Sequence, residues 1–186
     1  MSNRIAITGG IGSGKSFVCS LLKKHGIEVY DCDAGAKRVL ATSEEVRRKL
    51  TALIGESAYL ADGRLNKSVV AEFLLTSESN KKAINAIVHP AVMDDFMASG
   101  KTWMESAILF ESGCDKYVDK VVAVTAPTEV RINRIVSRDG ITREKAKEWI
   151  DCQMSQEEIR NRSDFEIIND GRQDVGSQIE DIINNI

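Results

Sequence analysis

The sequence predicts an α/β fold in which a five-stranded parallel sheet is flanked by helices. Three observations carry that prediction. A short apolar strand runs into a glycine-rich loop and then into an amphipathic helix. Further short apolar runs recur between helical patterns, the alternation that builds parallel sheets. A chain of 186 residues that is 42% hydrophobic can bury one substantial core with smaller insertions, but not two large domains.

The first element sets the frame. Residues 5–8 form the strand, and Gly9-Gly10-Ile11-Gly12-Ser13-Gly14-Lys15-Ser16 fits the phosphate-loop pattern G-x-x-x-x-G-K-[ST] at every fixed position. Lys15 and Ser16 open a helix that runs through Val18, Leu21 and Leu22 until His25-Gly26 stops it. Glycines let backbone N–H groups turn inward onto a polyphosphate, and the helix N-terminus adds partial positive charge. Lys15 can reach the β- and γ-phosphate oxygens, and the Ser16 hydroxyl can ligate Mg²⁺. Gly10, Gly12, Ser13, Gly14, Lys15, Ser16 and the backbone of Phe17 are therefore the expected nucleotide-binding residues.

Composition excludes other classes. A net charge of -3 and a pI near 5.5 argue against nucleic-acid or membrane-surface binding as the main activity, since both need a basic field. The four cysteines, Cys19, Cys32, Cys114 and Cys152, lie far apart without C-x-x-C spacing, so neither a zinc site nor a disulfide framework is indicated. The N-terminus leads straight into a strand, and no apolar stretch approaches the roughly 18 residues of a membrane span. A cytoplasmic enzyme is expected.

Residues 27–30 read as the second strand, ending in Asp31-Cys32-Asp33, with both carboxylates on one face at its carboxyl end, where ligands of open α/β sheets collect. An isolated Asp33 would read as a helix cap; beside a phosphate loop it reads as a working carboxylate. From residue 34 to residue 55 the pattern is helical, with Thr42-Ser43-Glu44-Glu45 in the form of a capping box. Residues 59–65 read as a turn, Asn66 as a cap, and a further helix starts near Ser79 and restarts at Pro90. His89 taken alone reads as a structural contact. Residues 34–100 thus form a helical insertion suited to an acceptor pocket.

The third strand is expected over 103–110, with Glu111 at its carboxyl end, and the fourth over 120–124, followed by Thr128 as a helix cap. Residues 129–162 hold two or three short polar helices rich in arginine, broken at Asp139-Gly140, and look like a lid. Most of these arginines read as a solvated face. Arg134 and Arg138 share one helix face, and an arginine swung in by a closing segment can stabilise a transferring phosphoryl group. The fifth strand covers 164–168 and a closing helix 175–186.

Five strands, an early phosphate loop, a helical insertion and a late lid describe a small P-loop kinase. A switch GTPase would need Asn-Lys-x-Asp, but Asn66-Lys67-Ser68 is followed by Val69, and Asp-x-x-Gly is absent. The order and spacing of the phosphate loop with Thr8 before it, Asp31-Cys32-Asp33, His89-Pro90, Leu109-Phe110-Glu111-Ser112-Gly113, Arg138, residues 153–158 and Asn169-Asp170-Gly171 resemble the dephospho-coenzyme A kinase family over nearly the whole chain.

The resemblance implies MgATP-dependent phosphorylation of the ribose 3′-hydroxyl of dephospho-coenzyme A, the last step of coenzyme A synthesis. It implies that Asp33 deprotonates the acceptor hydroxyl, that Lys15 and Arg138 stabilise the moving phosphoryl group, and that His89 and Glu111 join Asp33 in binding the acceptor. Ser16 is the expected Mg²⁺ ligand, with Asp31 or Asp33 linked through water. The implied regions are a nucleotide-binding core (1–33, 101–128 and 163–186), an acceptor-binding region (34–100) and a lid (129–162). Three departures stand out: Phe17 where the family usually has a hydroxyl residue, Cys32 for alanine, and Ala107 for a common proline. The expected partner is a small molecule, with no nucleic acid or membrane, and the expected state a monomer or weak homo-oligomer. The alternatives are another small-acceptor kinase, for a nucleoside monophosphate or a sugar, and a nonenzymatic ATP-binding protein.

Overall fold

Short apolar runs, each ending where polar or turn residues begin, become the strands β1 (Ile5–Thr8), β2 (Val29–Asp31), β3 (Trp103–Glu105), β4 (Lys120–Thr125) and β5 (Phe165–Ile168). The computed structural model of the chain describes residues 3–186. The strands form one sheet in the order β2-β3-β1-β4-β5. β1 pairs in parallel with β3 (Ile5 opposite Trp103) and with β4 (Ile5 opposite Lys120), and β4 pairs in parallel with β5. Every residue of β1 is buried, as a central parallel strand covered on both faces requires.

Nine helices accompany the strands among the described residues: α1 (Lys15–Lys24), α2 (Cys32–Thr42), α3 (Glu44–Ile54), α4 (Lys67–Thr76), α5 (Glu78–Ala98), α6 (Thr128–Asp139), α7 (Arg143–Asp151), α8 (Gln156–Asn161) and α9 (Val175–Asn184). The chain divides into two units, residues up to Tyr30 with Lys101–Ile186, and Asp31–Gly100.

In the first unit, Val18 and Leu22 of α1 and Val175, Ile179 and Ile182 of α9 pack onto Ile5, Ile7, Val122, Val124 and Ile167 of the sheet. Their spacings of three and four residues put each apolar set on one helix face. A separate cluster joins Ile132 and Ile135 of α6 to Ala146 and Ile150 of α7. In the second unit, α5 packs against α2, α3 and α4 and buries Ile84, Val88, Val92, Met93 and Phe96.

Four sequence expectations are corrected. α5 does not restart at Pro90 but runs through it. Its buried stripe is contacted by three helices, and this packing outweighs the lost hydrogen bond and the clash with the Ala86 carbonyl. β3 ends at Glu105; residues 107–113 turn instead, with hydrogen bonds such as Ser112 N–H to the Ile108 carbonyl, and still bury Leu109 and Phe110. Apolar character there marks burial rather than strand. Asp31 and Asp33 do not share a strand face: Asp31 is the N-cap of α2, accepting from the Ala34 N–H at 2.9 Å, and Asp33 lies in the first turn. Helix starts shift by one residue, with Ser43 rather than Thr42 capping α3 and Pro127 at the cap position of α6.

Candidate functional site

The loop between β1 and α1 closes tightly because its glycines permit it. Gly9 has φ 149°, and a Cβ there would lie 2.3 Å from the Val124 carbonyl oxygen of the adjacent strand. Gly14, at φ 100°, is the N-cap of α1, and a Cβ there would lie 2.1 Å from Asn169 Nδ2. No other residue type fits either place. α1 therefore starts without a side-chain cap, and its first turn holds no acidic residue. α2, α3 and α4, by contrast, are capped by Asp31, Ser43 and Asn66. The Phe17 N–H donates to the Gly14 carbonyl at 3.0 Å, and with no side-chain cap or acidic residue to neutralise it the N-terminal end of α1 keeps the partial positive charge that attracts anions.

Lys15 Nζ donates to the Gly9 carbonyl at 2.8 Å and lies 3.7 Å from Glu105 Oε1. Both side chains are largely shielded, which strengthens the pair relative to a surface one. Ser16 is exposed on the first turn. Ser13 is fully buried, and its Oγ has no hydrogen-bond partner. Phe17 is 50% exposed, and it lines a cavity of about 620 Å³ together with Gly14, Leu21, Arg134, Asn169 and Val175.

Residues far along the chain hold this loop. Ile11 at its tip donates its N–H to Gln153 Oε1 at 2.7 Å and accepts at its carbonyl from Arg131 Nε at 2.8 Å. The Ile11 side chain packs on the cluster between α6 and α7. Arg134 Nη1 donates to the Gly12 and Ser13 carbonyls at 3.2 and 3.1 Å, and its Nη2 to the Asn169 carbonyl and Oδ1 at 3.0 and 3.2 Å. Asn169 Nδ2 also donates to the Ser13 carbonyl at 2.8 Å. Arg131 is buried; burial pushes its guanidinium below the ordinary arginine value, against the opposing charge of Asp151. It stays protonated at any physiological pH.

The structure thus brings Gly10, Gly12, Ser13, Gly14, Lys15, Ser16 and Phe17 together with Glu105, Arg131, Arg134, Gln153 and Asn169 in the first unit. Arg138, in the last turn of α6, is exposed and hydrogen-bonds Asp139 through Nε and Nη2 at 3.0 and 2.7 Å. That carboxylate raises its pKa and is itself lowered. Glu111 is exposed on the turn after β3, and Glu105 occupies the strand end expected for it. Asp33 and His89 lie in the second unit, the first exposed and the second half-buried on α5.

Sequence spacing misses Glu105, Arg131, Gln153 and Asn169 as parts of the loop's surroundings. Gln153 and Asn169 stand in segments that carry the family resemblance but without a role at the loop, and Arg131 leaves a trace in standing four residues before Ile135, on the apolar side of its helix. Arg143 pairs with Glu129 and Asn133, and Arg162 lies over the Phe110 ring at 4.1 Å, so these arginines cover surface as expected of a solvated face.

A family model described as dephospho-CoA kinase matches residues 3–174. The chain belongs to the dephospho-CoA kinase family. It is 43% identical to a dephospho-CoA kinase of Bacteroides fragilis, over 98% of this chain and 92% of that protein. A crystal structure of a Thermus thermophilus protein superimposes with a TM-score of 0.82 at 31% identity, over 98% of this chain and 96% of the other. A dephospho-CoA kinase of Campylobacter jejuni gives a TM-score of 0.68 at 22% identity, covering 100% and 97%, and so supports the fold. Membership makes the chain a kinase that phosphorylates dephospho-CoA with ATP in CoA biosynthesis, on a P-loop kinase fold. Among the described residues no helix is long and apolar enough to cross a membrane, and no group of three His, Cys, Asp or Glu side chains could hold a metal ion.

Proposed function

We propose that this kinase transfers the ATP γ-phosphoryl group in line to the ribose 3′-hydroxyl of dephospho-CoA, with Asp33 as the base. The observation that carries the choice of acceptor is the family match over residues 3–174. The loop geometry supports the donor half: an uncapped helix N-terminus with no acidic residue in its first turn, a shielded lysine, and a glycine-lined turn suit a polyphosphate. The backbone of residues 10–17 binds the phosphates, and the cavity beside Phe17 takes the nucleoside, with the ring forming part of its wall. Phe17 offers the α-phosphate only its N–H.

The donor set fits Mg²⁺ rather than a softer metal. Ser16 supplies a hard hydroxyl oxygen and Asp31 or Asp33 a carboxylate through water, oxygen donors that suit an ion held largely by phosphate and water. When bound, Mg²⁺ neutralises charge on the β- and γ-phosphate oxygens. Asp33 accepts the proton of the attacking hydroxyl, and Lys15 and Arg138 stabilise the charge on the transferring group. His89 and Glu111 help bind the acceptor. Residues 34–100 receive the acceptor, residues 129–162 act as the lid, and the remainder binds the nucleotide. The enzyme works in the cytoplasm as a monomer or weak homo-oligomer, without nucleic acid.

Asp33→Asn tests the central role. Turnover should fall by roughly a hundredfold or more, the scale of a lost general base, while ATP affinity measured by titration stays within about twofold. Retained turnover would remove Asp33 from the mechanism.

A further inference from the structure

The second unit contains a groove of about 830 Å³ between the second half of α2, the turn at 59–65 and the start of α4. Its lining combines two kinds of surface. Lys37, Arg64 and Lys67 bring three cations against one carboxylate, Asp62, in a chain whose net charge is -3. Leu40, Leu60 and Leu65 give it an apolar side, and Leu60 remains 42% exposed.

This groove is a formed feature. Tyr59 and Leu65 bridge in antiparallel pairing, Leu60 N–H donates to the Arg64 carbonyl at 2.8 Å, and Asp62 accepts from both the backbone and Nε of Arg64. Arg47 braces the turn from α3, donating to the Gly63 carbonyl at 2.6 Å and lying over the Tyr59 ring at 4.8 Å. The Tyr59 hydroxyl donates to the Leu40 carbonyl at 3.1 Å, tying the turn to α2. A preformed wall loses little entropy on binding a ligand.

α2 links the groove to the proposed base. Lys37 and Leu40 follow Asp33 by four and seven residues and so lie on its helix face, roughly 6 and 10 Å along the axis. We propose that this groove holds the diphosphate and the flexible amide-bearing arm of dephospho-CoA, the part of the acceptor beyond its ribose. Lys37 and Lys67 meet the diphosphate, and the leucine side receives the arm. Cations beside apolar wall match an acceptor that is anionic near its ribose and uncharged further out. The assignment rests on the kinase reading and adds the residues that discriminate the whole acceptor from a shorter one.

The test uses the full chain with Lys37→Ala and Lys67→Ala combined, both exposed positions, and separately Leu60→Asp. ADP release is followed with dephospho-CoA and with adenosine as acceptors. In each variant KM for dephospho-CoA should rise tenfold or more while KM for ATP changes less than twofold. The ratio of kcat/KM between dephospho-CoA and adenosine should fall by a similar factor. An unchanged ratio in both variants, with or without a loss of kcat, overturns the assignment. If the unsubstituted chain releases no ADP with dephospho-CoA, the kinase reading itself fails, and that result is visible before any variant is made.

Discussion

Arg134 and Arg138 stand one turn apart on α6, and their replacement by alanine should have opposite signatures. Arg134 makes four hydrogen bonds of 3.0–3.2 Å, to the Gly12 and Ser13 carbonyls and to Asn169. A hydrogen bond from a charged donor contributes about 1.5–3 kcal/mol, but these four share one guanidinium and two are long, so they do not add. Arg134 is only partly buried, and water can reach some of the acceptors left behind. The expected net loss for Arg134→Ala is about 2–3 kcal/mol, which lowers Tm by roughly 4–12 °C for a chain of this size. The chain stays folded at room temperature, since total stability is of order 5–15 kcal/mol.

The same contacts shape the phosphate loop. If half of that loss falls on the loop's binding conformation, KM for ATP rises about tenfold, because 1.4 kcal/mol is a factor of ten. Arg138, whose side chain is 61% exposed and hydrogen-bonds the neighbouring Asp139 carboxylate, should cost under about 0.5 kcal/mol when replaced. Its loss should appear in kcat, by on the order of a thousandfold. Thermal unfolding and ADP release at varied ATP measure both variants. An Arg134→Ala protein with wild-type Tm and KM for ATP would refute the anchoring role, and an Arg138→Ala protein with intact kcat would refute the catalytic one.

Two further outcomes follow from the fold. Pro90→Ala should stabilise the chain by about 1–2 kcal/mol, because it restores the N–H that α5 lacks and removes the clash with the Ala86 carbonyl, partly offset by a freer unfolded chain; a lower Tm would mean that the packing of α5 depends on the proline. The carboxyl group of Asp164 is partly buried, which works against its charged form, but hydrogen bonds at 2.8 Å from Lys120 Nζ and the Val121 N–H outweigh this and hold its pKa below the ordinary value. A lowered folded-state pKa adds stability above the unfolded value of about 3.9 that is lost as pH falls through the folded one. The stability difference between the wild type and Asp164→Asn should therefore be constant from pH 7 to about pH 5 and shrink towards pH 3; chemical denaturation that finds it constant to pH 3 would count against the pairing.

The phosphate loop is legible in the sequence because local rules dictate it. Gly9 and Gly14 are required by positive φ and close approach, and Lys15 and Ser16 are fixed by the helix that follows. The strands around it are legible as apolar runs, and the helix stripes as spacings of three and four. The anchors are not. Arg131 and Gln153 reach Ile11 from 120 and 142 residues away, and periodicity gives the face of a helix without naming what that face meets. Glu111 is favoured over Glu105 because residues 107–110 look like strand, and only the turn hydrogen bonds distinguish buried turn from buried strand. Pro90 misleads for a related reason: a local helix-breaking preference yields to three neighbouring helices.

The most direct measurement of what this chain does is acceptor-dependent ADP release. The full chain with MgATP is offered dephospho-CoA and, in parallel, AMP, UMP, CMP and shikimate, and the product formed with dephospho-CoA is analysed for the position of its new phosphate. ADP release with dephospho-CoA alone, yielding a 3′-phosphorylated product, is the expected result. Release that depends on one of the other acceptors, or on none, would contradict it.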